Sequence, residues 1–128
     1  MPQKSKTRET LEELLASCSD TFSPAELGSV PVTLDGRDVD GETPLHVMLW
    51  RGNTYAVLQF IEAGADINAV GDMAETPLHI AVKQQNSVAI EALLKAGAGM
   101  SHVSEFRQSP RELADELGGD IRRLFVNQ

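Results

Sequence analysis

The sequence predicts an all-α fold, a solenoid of stacked helix–turn–helix units joined by turn-rich stretches. Three observations carry this. The tetrapeptide Thr43-Pro44-Leu45-His46 returns 33 residues later as Thr76-Pro77-Leu78-His79. The same phase continues outside it. Gly64-Ala65-Asp66-Ile67-Asn68 falls on Gly97-Ala98-Gly99-Met100-Ser101, Pro110 on Pro77, Ala114 on Ala81, and Gly118 on Gly52. Backwards, Leu34-Asp35 falls on Ile67-Asn68 and Thr10 on Thr43. Finally, apolar residues follow each Thr-Pro at helical spacing. A period in the thirties marks repeats that bury their apolar faces only against one another.

From the N-terminus, Thr7 to Cys18 reads as an amphipathic helix with Leu11, Leu14, Leu15 and Cys18 on one face. Ser23-Pro24-Ala25-Glu26 is a capping-box sequence with proline at the first helical position, so a second short helix is expected there. Thr43 is a good N-cap, because its hydroxyl can accept from an orphan N–H of the first turn. Pro44 suits the next position, where a missing N–H costs nothing. Leu45 to Leu49 then predicts a short apolar helix ending near Gly52-Asn53. Ala56, Val57, Phe60 and Ile61 predict a second, ended by Gly64. The next block repeats this with Ala89, Ile90, Leu93 and Leu94, ended by Gly97. Ser109-Pro110 opens a last inner helix, and Ile121, Phe125 and Val126 a last outer one, after a one-residue deletion near Gly118-Gly119. Arg111, Arg122 and Arg123 stand there at apolar repeat positions, which suits a terminal unit with one polar face.

The run Asp38-Val39-Asp40-Gly41-Glu42-Thr43-Pro44-Leu45-His46, two short helices, and then Gly64-Ala65-Asp66-Ile67-Asn68 closely resembles the ankyrin repeat. The resemblance is strong for residues 38–103 and weaker, though phased, outside them. It implies short hairpin-like fingers between antiparallel helix pairs. Length and phase give one domain over 1–128, with a degenerate N-terminal cap at 7–37, repeats at 38–70 and 71–103, and a C-terminal capping repeat at 104–126. The resemblance makes His46 and His79 scaffold residues that tie neighbouring backbone together. It also implies protein binding through the fingertips and the inner, concave helices. Gly71 departs from the family's Asp, and Ala74 and Arg107 from its turn glycine, so those two hairpins are expected to differ. Met48-Leu49 replaces the usual Ala-Ala pair, as for a helix packed on an atypical neighbour.

Composition narrows the function. The chain has 128 residues and a net charge of −8, so nucleic acid is a poor partner, because phosphate binding needs a basic surface. A protein partner more basic than acidic is expected, approached by electrostatic steering. No apolar run is long enough to span a membrane. The polar start Met1 to Arg8 carries no visible signal peptide. The single Cys18 is expected as a small core residue of a cytoplasmic, reducing-compartment protein. The chain is expected to be a monomer without its partner.

Reaction chemistry has no foothold in the motifs. Phosphate-binding glycine loops, His-Glu-x-x-His helices and nucleophile elbows are missing. His46 and His79 stand one repeat apart, on the order of the 8–10 Å between packed helices, too far to share a metal at about 2 Å. His102 stands alone in a turn. No enzyme activity, cofactor or metal is expected.

Function is expected at positions the period leaves free. Trp50 and Arg51 end the first inner helix, and Lys83 and Gln84 hold the same places in the next. Trp and Arg are the types most enriched in binding hot spots. The fingers supply a second row: Val39, Asp72 and Glu105; Asp40, Met73 and Phe106; and Glu42 with Glu75 and Gln108. This predicts an acidic ridge with Met73 and Phe106 as apolar points. The preferred expectation is a non-catalytic protein-binding module. The alternative is an immunity protein neutralising a basic toxin enzyme of a bacterial toxin–immunity pair, because a negative surface can occlude a positive active site.

Overall fold

Each Thr-Pro or Ser-Pro opens a helix, and each helix is too short to stand alone. In the computed structural model, residues 9–18 and 32–126 are described. They form α1 (Leu11–Ala16), α2 (Pro44–Arg51), α3 (Thr54–Glu62), α4 (Pro77–Lys83), α5 (Ser87–Lys95), α6 (Pro110–Leu117) and α7 (Gly119–Val126). No strand occurs among the described residues. Helices α2, α4 and α6 pack in succession as an inner layer, and α3, α5 and α7 as an outer one. Leu45, Met48, Leu49, Val57 and Phe60 pack with Leu78, Ile80, Ile90 and Leu93 into one core that crosses both layers.

The N-terminal helix starts at Leu11, later than Thr7. Thr10 is extended, its hydroxyl accepts from the Glu13 N–H, and the Glu13 carboxylate accepts from the Thr10 N–H, a reciprocal pair that fixes the helix start. Thr10 thus caps α1 at the phase where Thr43 caps α2. Leu14 and Cys18 are buried, and Leu11 and Leu15 pack against the core. Helix α1 lies on α3. The helix expected from Ser23 falls outside the described residues.

At the other end, Asn53 and Asn86 cap α3 and α5 by accepting from Ala56 N–H and Ala89 N–H. Gly119 stands at that phase of the period and is itself the first residue of α7. Ile121 and Phe125 are buried there, whereas Val126 is exposed and adds nothing to the core. Arg111, Arg122 and Arg123 all face outward.

The three fingers close alike. Asp38, Gly71 and Ser104 donate their N–H to the carbonyls of Glu42, Glu75 and Gln108, each at 2.9 Å. The turn position is left-handed in all three: Gly41 at φ 83°, Ala74 at 57° and Arg107 at 66°. The expected change of hairpin is therefore confined to detail, because the stacked repeats impose the closure whatever residue sits in the turn. The middle finger differs in that Met73 is left-handed too, at φ 59°, within a short 3-10 turn at Asp72–Ala74. Gly71 has its own cause. A Cβ there would lie 2.9 Å from His46 Nε2.

That imidazole is the tie between units. Thr43 N–H donates to His46 Nδ1 at 3.2 Å, which makes Nδ1 the acceptor and Nε2 the protonated nitrogen. Nε2–H donates to the Glu75 carbonyl of the next finger at 3.1 Å. His79 repeats the arrangement, with Thr76 N–H on Nδ1 at 3.0 Å and Nε2–H on the Gln108 carbonyl at 2.9 Å. Both rings are fully buried. Burial, the largest cause, pushes both imidazoles below the usual histidine value, against the raising effect of the carbonyls they bond.

Two outcomes follow from this scaffold. Replacing Ala74 by Gly removes the left-handed strain of a side chain, and stability should rise by about 1 kcal/mol in urea unfolding. Because both folded histidines resist protonation, the unfolded chain takes up protons first as pH falls. Stability is full above the ordinary value of 6.5 and is lost as pH drops through it. An NMR titration should show both rings protonating below 6.5, and a midpoint at or above it would refute the neutral bridge.

Candidate functional site

The inner layer and the fingers meet along one edge. Thr43, Thr76 and Ser109 start their helices directly after a finger closes. The finger base therefore stands beside the helix end two turns on. Glu42, Trp50, Asp72, Met73, Glu75, Lys83 and Phe106 line a shallow hollow of about 220 Å³ there. All seven belong to the surface expected from the sequence.

The seven are unequally placed. Phe106 is 56 % exposed, and Trp50 and Met73 are each 45 % exposed. Glu75 is only 4 % exposed and sits at the floor, beneath the fingertip where its sequence position suggested it would be. It forms an ion pair with Lys83 Nζ. The ammonium contacts Oε2, the buried oxygen that no other donor reaches among the described residues, and is its compensating charge. The same Nζ lies 4.5 Å from the Phe106 ring centroid, within cation–π range.

Glu42 is half-buried and has no cation beside it among the described residues. Trp50 Nε1–H donates to its Oε2 at 3.4 Å, a long bond. Burial pushes the Glu42 carboxyl above the usual carboxylate range, the indole N–H partly opposes this, and the charges of Asp38, Asp72 and Asp40 add to the rise. The hollow thus carries three carboxylates and one ammonium, with Trp50, Met73 and Phe106 as its apolar surfaces.

The other expected residues lie around this hollow or apart from it. Gln84 donates from Nε2 to the Trp50 carbonyl at 3.2 Å, which ties the end of α2 to α4. Arg51 reaches back to the Ser17 carbonyl at 3.0 Å and braces the N-terminal helix. Glu105 donates its backbone N–H to the Met73 carbonyl at 2.9 Å, linking two fingers. Val39, 88 % exposed, and Asp40 stand on the first finger outside the hollow. His102 is not alone in space, because its ring meets the His79 ring edge-on with centroids 6.2 Å apart.

One pattern escaped sequence reasoning. Glu42 meets Trp50, Glu75 meets Lys83, and Gln108 Nε2 donates to Glu116 Oε1 at 3.3 Å. Each pair spans eight residues and falls at one phase of the 33-residue period. The finger base and the helix end are thus a rung, repeated three times with different chemistry. Aligning the repeats on both positions together, rather than one at a time, would have exposed it.

No described helix is long and apolar enough to cross a membrane. Among the described residues no group of three or more His, Cys, Asp or Glu is placed to hold a metal ion. A family model described as ankyrin repeats, in three copies, matches residues 3–104. No curated protein matches the chain.

The floor pair generates a stability prediction. Lys83→Met leaves a buried carboxylate without its cation, so unfolding free energy should fall by about 2–3 kcal/mol. Adding Glu75→Gln to that variant should recover most of the loss in urea unfolding. Equal stability of wild type and Lys83→Met would show the pair to be dispensable.

Proposed function

Because the chain belongs to the ankyrin-repeat family, whose repeats generally act as protein–protein interaction modules, we propose that it is a non-catalytic binding module. Its contact surface is the edge where fingers meet the inner helices. The observation that carries this is the hollow of Trp50, Met73 and Phe106, whose exposed apolar faces converge beside carboxylates. Aromatic and thioether side chains rimmed by charge suit an interface centre. Val39, Asp40 and Glu105 extend that surface, with Glu42 and Asp72 inside it. Arg51 and Gln84 support it through the backbone bonds they make. A net charge of −8 favours a basic protein partner. The family match begins at residue 3, which supports reading 7–37 as a degenerate first repeat ahead of the repeats at 38–70 and 71–103.

The acidic hollow also suits a narrower role, inhibition of a basic enzyme by occlusion of its active site. The two readings share one surface and differ in what binding does to the partner. Neutralisation of a toxic, basic neighbouring gene product would favour inhibition.

The test places a photo-crosslinking amino acid at Met73 and, as a control, at Val88, which is exposed on α5. A discrete adduct from Met73 and none from Val88 is expected. Trp50→Ala with Met73→Ser should weaken the captured complex by roughly thirty-fold or more, the scale of a hot-spot residue. Unchanged affinity of a folded double variant would move the interface elsewhere.

A further inference from the structure

The rungs differ in one informative way. In the second repeat the sequence of groups across the hollow is carboxylate, cation, aromatic ring: Glu75, Lys83, Phe106. Shifted back by one period, the same positions hold Glu42, Trp50 and Met73. The carboxylate and an apolar surface are kept, but an indole stands where the cation stood. Glu42 is half-buried and, among the described residues, receives only a long indole N–H bond. Asp72, exposed at the rim of the same hollow, is a second carboxylate without a cation among the described residues.

We propose that this first rung receives the guanidinium of an arginine side chain from the partner protein, laid on Trp50 and paired with Glu42 and Asp72. The proposal rests on the protein-binding reading and specifies the chemistry of its contact. Three features select arginine. The neighbouring rung already holds a cation between a carboxylate and an aromatic face, so the architecture accommodates that arrangement. The half-exposed indole offers a flat face, on which a planar, weakly hydrated guanidinium stacks better than an ammonium. The guanidinium's several N–H donors can serve two carboxylates at once, whereas Lys83 serves one. A partly desolvated carboxylate also gains more from a cation than a hydrated one.

Trp50 is the only tryptophan of the chain, so its indole N–H gives an unambiguous NMR signal. The probe is the peptide acetyl-Gly-Arg-Gly-amide, set against its citrulline and lysine counterparts on the full chain. The arginine peptide should shift the indole signal saturably. Citrulline, isosteric but uncharged, should bind about ten-fold more weakly, and lysine several-fold more weakly. Glu42→Gln and Asp72→Asn should each weaken arginine binding by about three- to ten-fold, with the remaining amide spectrum unchanged. Asp72 is exposed, so its variant tests the site even if Glu42→Gln disturbs the finger. Equal binding of citrulline, equal binding of lysine, or arginine binding untouched by both variants would overturn the proposal. If a Met73 adduct forms but citrulline equals arginine, the arginine site fails and the module survives. Saturable arginine binding that is weakened in Asp72→Asn, without a Met73 adduct, supports the guanidinium chemistry of the rung and overturns its use by a protein partner.

Discussion

Everything in this molecule depends on a buried imidazole kept neutral. Each ring accepts from its own helix cap and donates to a carbonyl 29 residues ahead. One side chain therefore fixes a helix start, the base of the next finger and the spacing between units. An ammonium or amide could not serve all three. The ring needs one acceptor and one donor nitrogen, at separate positions on the edge of one rigid planar ring. Burial enforces that protonation state, and the protonation state in turn gives the bond its direction.

Much of the fold was legible because the constraints are local. A threonine hydroxyl, a proline ring and a run of apolar residues act within one turn, so caps and helices can be read from the letters. Helix α1 starts at Leu11 and not at Thr7, because Thr10 and Glu13 form a reciprocal cap that fixes the first turn there. The finger geometry follows the expectation in part, since the middle finger alone carries a second left-handed residue, Met73. Glycine is the residue that takes a left-handed turn without strain, yet the repeat stack holds Ala74 and Arg107 in that conformation. The cost of about 1 kcal/mol per residue is small beside the packing that imposes it.

The candidate surface was legible in membership and illegible in depth. The period named the free positions, and seven of them line one hollow. Periodicity carries no information on which carboxylate sinks to the floor. Glu75 is buried because Lys83, two helical turns on, can neutralise it, whereas Glu42 faces Trp50 and stays half-open. The difference lies in a pair eight residues apart, across a finger base and a helix, and local pattern reading does not connect them.

The reach of the connecting bonds has a kinetic meaning. The Asn86 to Thr54, Gly99 to Asn68 and histidine-to-carbonyl bonds all join one unit to the next and span 29 to 32 residues. A chain knit only to its nearest neighbours has few distant loops to close, so its search is short and its transition state need contain only two adjacent units. The middle pair, with the best-matched caps and the most apolar helices, is the natural place for that nucleus. Outward growth from that nucleus would leave the C-terminal unit, with Arg111, Arg122 and Arg123 facing outward, to form late. Such a chain behaves as a zipper with its strongest teeth at the centre.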